Sequence, residues 1–198
     1  MFTIIKEFEK EDQELYKIVL IQGLKSVKAT NPQEIIKLLD SVNSKYEVLI
    51  QLCSAALIAT WEHIFFSVLH ALHAFIQKRN ISNQLSLEIL LYISGQRQIK
   101  VALEKFGVKA GDDVVIILGN SEASVKQALE ECEILLGGAR SDEVMMIFND
   151  FKQSEICKYY QIGNDEISAI SLTNNENQRD EAIFKAILNR IALVSLEK

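Results

Sequence analysis

The chain has 198 residues, 48% hydrophobic and 24% charged, a balance that supports one sizeable buried core and excludes wholesale disorder. One proline and eight glycines leave few enforced turns, which argues against a β-sandwich, a collagen-like chain or a linker-rich array and for abundant helix. With 21 basic against 27 acidic residues, net −6, bulk charge does not advertise a polyanion or an anionic membrane as partner; any such partner must meet a local patch.

From the N-terminus, residues 3–14 read as a short edge strand running into a charged turn, and Lys17–Gly23 as a central β-branched strand. Asn31-Pro32-Gln33-Glu34 is a helix start, with Ile35, Ile36, Leu38, Leu39 and Val42 as its apolar face. Tyr46–Cys53 predicts a second buried strand. Thr60 then caps a helix reaching Lys78, whose stripe Ile64, Phe65, Val68, Leu69, Leu72, Phe75 and Ile76 leaves His63, Ser67, His70, His73 and Gln77 on a second face. A third helix covers Leu85–Tyr92, capped by Ser82 or Asn83 and stopped at Ser94-Gly95. A fourth turns Ile99, Ala102, Leu103 and Phe106 inward and Arg97, Lys100 and Glu104 outward.

Asp113–Leu118 is the clearest strand. Asn120 or Ser121 caps the next helix, buried through Val125, Ala128, Leu129, Cys132 and Leu136 and ended by Gly137-Gly138. Glu143–Phe148 predicts a last strand, followed by a short helix through Tyr159, a polar loop over 173–180 and a closing amphipathic helix from Glu181 to Val194.

The motifs of common chemistries do not occur. Cys53, Cys132 and Cys157 are scattered without a C-x-x-C pair, so neither a disulfide framework nor a zinc ribbon is predicted, and a reducing compartment fits. His70 and His73 stand at i, i+3 but lack the third ligand and base of a zinc enzyme. There is no G-x-S-x-G, Walker or dinucleotide loop. No secretion signal is read at Met1–Glu7, and Val48–Gln77 is too interrupted by Glu62 and the histidines for a membrane span. A non-enzyme without cofactor or metal, located in the cytoplasm and also in the nucleus of a eukaryotic host, is the expectation.

Charge is unevenly placed. Residues 71–110 hold six cations (Lys78, Arg79, Arg97, Lys100, Lys105, Lys109) against Glu88 and Glu104, net +4, which leaves −10 elsewhere. Such a segment either forms ordinary solvated helix faces or holds phosphates by local contact. Arg97 in a first helical turn also suits a phosphate or carboxylate, so a small-molecule-binding or enzymatic α/β domain with Arg97 as anion clamp is the alternative reading.

The run Arg79-Asn80-Ile81-Ser82, Leu85, Glu88-Ile89-Leu90-Leu91-Tyr92-Ile93-Ser94-Gly95-Gln96-Arg97-Gln98-Ile99, Ala102 and Phe106-Gly107 resembles the signature of the PRPK-binding protein family. That family is the kinase-binding subunit of the KEOPS complex. Ile187–Val194 resembles its terminal helix, and the match covers roughly 17–196 as one domain, with 1–16 a separate N-terminal segment. The resemblance implies an α/β (α+β) fold with a small mixed, largely antiparallel sheet flanked by helices, and no catalytic residues. It further implies docking on and stimulating the small atypical KEOPS kinase, contact through it with the other subunits, and recruitment of tRNA by its 3′ CCA end for threonylcarbamoyladenosine (t6A) modification. On that reading Lys78, Arg79, Arg97, Gln98 and Lys100 are the expected RNA contacts, with Tyr92 as a possible stacking ring and the histidine face as a border. An exposed apolar patch is expected for the kinase, with Met145, Ile187 and Ile191 as its residues.

Overall fold

A computed structural model describes residues 3–8, 15–28, 31–146, 149–171 and 176–196. Strands β1 (Ile4–Glu7), β2 (Ile18–Val27), β3 (Leu49–Ser54), β4 (Gly111–Gly119) and β5 (Ala139–Arg140) form one sheet in the order β1-β2-β4-β3, with β5 also on β2. Every pairing among the described residues is antiparallel. Because β4 lies between β2 and β3, those two run parallel to each other and the intervening helix α1 (Pro32–Tyr46) completes a split βαβ unit. β1 and β5 sit end to end along the same edge of β2, at Ile18–Ile21 and Leu24–Lys25.

Helices cover both faces, which explains why the central strands read as near-continuous apolar runs. On one face Leu20, Ile50, Leu52, Val115 and Ile117 pack against α1 and α5 (Glu122–Leu136). On the other, Val19, Ile21, Cys53, Val114, Ile116 and Leu118 meet α2 (Trp61–Ile76), α3 (Leu85–Ser94), α4 (Ile99–Phe106), α6 (Asp150–Tyr160), α7 (Asn164–Ile170) and α8 (Glu176–Val194). No described helix is long and apolar enough to cross a membrane.

Three of the start signals act where they stand, whereas α3 starts from Gln84 without a side-chain cap rather than from Ser82 or Asn83. Asn31 Oδ1 accepts from Gln33 N, Thr60 Oγ1 from His63 N and Ser121 Oγ from Ser124 N, while Gly95 and Gly137 close α3 and α5 in the left-handed region. Tyr46 ends α1 rather than opening β3, and α8 starts five residues before the expected Glu181. Three expected inward residues face out: Ile36 is 58%, Leu38 39% and Leu103 46% exposed. The turn predicted over the end of residues 3–14 lies outside the described residues.

The largest correction concerns residues 143–148. Asp142–Met145 is a 3₁₀ turn, not a strand, and residues 147 and 148 lie outside the description. The cause is long-range: Ser141 N–H donates to Gly23 O, and a Cβ on Gly23 would stand 2.1 Å from Val144 Cγ2 and 2.3 Å from Ser141 O. Residues 141–144 thus press onto the middle of β2, and only glycine leaves them room.

Candidate nucleic-acid interface

The α2–α3 hairpin positions the cationic residues. α2 closes with Lys78 at φ 56°, which returns Arg79 N–H to Ala74 O at 2.8 Å, the six-to-one bond of a helix end. A non-glycine residue in this region carries a strain of about 1 kcal/mol, tolerated because the following turn is fixed from outside. The fixing group is Glu88, fully buried on α3. Its Oε2 accepts from Ser82 N at 2.7 Å, and its two oxygens accept from Ile81 N at 3.1 and 3.0 Å. Asn80 Nδ2 donates to Ser82 O, and Ser82 Oγ accepts from Gln84 N. Lys78 and Arg79 stand exposed on this pinned turn, with no ion pair among the described residues.

Arg97, Gln98 and Lys100 lie at the other end of α3. That helix has 10 residues, so the two cationic groups are separated by roughly 15 Å along its axis. Lys78 and Arg79 are therefore neighbours, and Arg97, Gln98 and Lys100 are neighbours, but the five do not converge on one point. Gln98 is the N-cap of α4 and, with Lys100, is exposed. Arg97 is half-buried, and its guanidinium donates to Val194 O at 2.6 Å. It thereby serves the negative end of α8, a role that neither an RNA contact nor an anion clamp had suggested.

Between the two groups runs a strip of α2 and α3. His70 stacks on Tyr92 with ring centroids 5.6 Å apart and planes at 20°. Tyr92 is only 2% exposed, so it belongs to the core and its free face is already taken. Burial first, and then the neighbouring His73, lower the His70 pKa. The N-terminal half of the histidine face is no border, since His63 and Ser67 are fully buried, whereas His73 and Gln77 stand exposed toward the hairpin end. His63 Nε2 donates to Ile93 O at 2.9 Å, its Nδ1 accepts from Ala59 N, and Tyr160 Oη also donates to Ile93 O at 2.7 Å. Burial drives the His63 pKa down to about 4, so the ring is neutral. The small residues Ser67, Ala71 and Ala74 along this face were the sign of close helix packing on a second side.

Among the described residues no group of three histidine, cysteine or acidic side chains could hold a metal. Cys53 and Cys132 are buried, and burial pushes the Cys132 thiol up to about 12, the reverse of an activated nucleophile.

The residues expected to form an exposed apolar contact do not form one. Met145 is 2% exposed, and Ile187 and Ile191 are fully buried, the latter two forming with Ile183 the stripe by which α8 packs into the core. Exposed apolar groups occur beside them instead: Met146 at 55%, Phe151 at 76% and Leu196 at 71%. Sequence reasoning had no way to tell these neighbours from core.

The described residues thus form a mixed α/β domain with one antiparallel sheet, helices on both faces and a cationic hairpin held by a buried carboxylate. The chain belongs to the kinase binding protein CGI-121 family, whose model matches residues 24–195. It is 29% identical over 182 residues to the regulatory protein Cgi121 of Methanocaldococcus jannaschii, covering 91% of this chain and 99% of that one. It is also 34% identical over 61 residues to the KEOPS complex subunit Cgi121 of Pyrococcus abyssi, covering 31% of this chain and 36% of that one.

Proposed function

We propose that this chain is a non-catalytic, kinase-binding subunit of a KEOPS-type complex, which stimulates the complex's small atypical kinase and recruits tRNA by its unpaired 3′ CCA end for t6A modification on another subunit. Family membership and the names of the two relatives support the kinase and complex part. The observation that carries the RNA part is the pinned turn holding Lys78 and Arg79, paired across α3 with Arg97, Gln98 and Lys100 in a chain of net charge −6. An unpaired tail a few nucleotides long spans such a gap, and its phosphates are held at both ends while acidic surface elsewhere repels the rest.

Lys78→Glu/Arg79→Glu tests the reading. Two charge reversals at exposed positions should weaken tRNA binding tenfold or more without altering the fold. Removing the 3′ CCA from the tRNA should weaken wild-type binding by a similar factor. Affinity unmoved by both changes would defeat the RNA part, and failure to co-purify with the kinase subunit would defeat the kinase part.

A further inference from the structure

At the end of α2 away from the hairpin, a cavity of about 560 Å³ opens between the first turns of α2 and α8 and the 3₁₀ turn Asp142–Met145. Its floor is apolar: Ile4, Met146 and Phe184 line it beside Trp61, the single tryptophan of the chain. Met146 is 55% exposed, and Trp61 and Phe184 are half-buried. The rim is acidic. Glu62, Asp142, Asp180 and Glu181 bound the cavity, and among the described residues no lysine, arginine or histidine does so.

The rim carboxylates are held by their own elements. Glu62 stands in the first turn of α2, where the helix dipole favours a negative charge. Asp180 Oδ1 accepts from Gln153 Nε2 at 2.9 Å, which fixes it between α8 and α6. Glu181 pairs with Lys185 one turn along α8, an exposed contact that a cation from a partner can replace. Lys6 Nζ stands 5.0 Å over the Trp61 ring, so that ring already takes a cation on one face. An apolar centre inside a charged rim is the anatomy of a protein contact, and the sign of the rim sets the chemistry of the partner: an apolar side chain with arginine or lysine around it. A nucleic acid does not fit, because its phosphates would meet the carboxylates.

We propose that this cavity receives the kinase subunit, through a segment whose apolar side chain enters beside Trp61 while flanking arginines or lysines meet Glu62, Asp180 and Glu181. The inference rests on the kinase-binding reading above and gives that reading a surface. Met145, expected as a kinase contact, is the buried residue on the cavity wall, and its exposed neighbour Met146 makes the contact. The position also suits a subunit with two partners. α2 has 16 residues, so about 24 Å separates the cavity from Lys78 and Arg79, and one chain holds kinase and RNA at once on surfaces of opposite charge.

The test is the affinity of the full chain for the kinase subunit from the same organism, measured by isothermal titration calorimetry. Glu62→Lys/Glu181→Lys at the rim and Met146→Asp at the floor should each weaken it about tenfold or more. Glu62→Gln/Glu181→Gln, which keeps the size of both side chains, should weaken it several-fold with an unchanged thermal midpoint, which separates lost contact from lost fold. Glu122→Lys/Glu130→Lys makes the same change of charge on α5, across the sheet from α2 and α8, and should leave the affinity at the wild-type value. Cavity variants that bind the kinase as the wild type does would overturn this inference and leave the kinase-binding reading standing. An equal loss from the α5 pair would overturn it too, because bulk charge would then be the cause. A wild-type chain that does not bind the kinase would overturn the reading, and the inference with it.

Discussion

At the residue scale, Asp113 and His63 are both fully buried and titrate in opposite senses. Neither oxygen of Asp113 completes a hydrogen bond among the described residues. Burial first, and then the Asp112 charge, push its pKa up to about 7, against a smaller opposing pull from the Lys109 backbone N–H. A carboxyl raised from 3.8 to about 7 binds more protons folded than unfolded, so its contribution is complete below pH 3.8 and is lost as pH rises toward 7. His63, lowered from 6.5 to about 4, does the reverse: its contribution is complete above pH 6.5 and is lost as pH falls toward 4. Each effect is on the order of 3 kcal/mol, so the two slopes largely cancel between pH 4 and 6.5. Asp113→Asn should therefore unmask stability that climbs with pH over that window, and His63→Gln stability that falls. Urea midpoints at pH 4.5, 5.5 and 6.5 check both, and parallel curves for wild type and either variant would refute the assignment.

At the level of elements, Glu88 converts a turn into a platform. Glu88→Ala leaves Ile81 and Ser82 with unpaired N–H groups in a half-buried turn, at a cost of about 2–3 kcal/mol, and Glu88→Gln, which keeps one acceptor oxygen, should recover part of it. Amide exchange at Ile81 and Ser82 should quicken in the alanine variant well beyond that of the β4 core. tRNA affinity should fall too, although Glu88 is buried and touches no ligand. None of this was legible in the sequence, where Glu88 counted only as a charge in residues 71–110 and as one position of the family signature. What could be read locally was α1 and α5, each from a cap and a helical stripe within one stretch of chain, and β4, from an unbroken run of Val, Ile and Leu. Residues 141–146 resisted because their conformation is decided by Gly23, more than a hundred positions away. Met145, Ile187 and Ile191 misled for a related reason: a core stripe and an exposed patch have the same composition, and only the packing of α8 separates them. The cationic residues are legible as charges, but their division between two ends of α3 depends on the hairpin geometry.

Across the whole molecule, α2 acts as a spacer. It is 16 residues long, so Lys78 and Arg79 at one end stand roughly 24 Å from Trp61 at the other. Near Trp61 the surface is of opposite character, a cavity of about 560 Å³ bounded by Glu62, Asp142, Asp180 and Glu181 over Met146 and Phe184. If the chain recruits tRNA as proposed, that acidic end would repel nucleic acid and the hairpin attract it, so electrostatics would orient an approaching tRNA before any contact forms. The salt dependence of binding measures how many of the hairpin cations meet phosphate. With Lys78, Arg79, Arg97 and Lys100 all engaged on a single strand, log K should fall with log salt at a slope of about −3. Lys78→Ala/Arg79→Ala removes two of the four and should bring that slope to about −1.4, whereas Lys126→Ala on α5, where Lys126 pairs with Glu122, should leave it unchanged. Fluorescence anisotropy titrations of a labelled CCA-ended RNA between 50 and 200 mM salt give both numbers, and a slope that the double variant leaves near −3 would mean that the phosphates are met elsewhere.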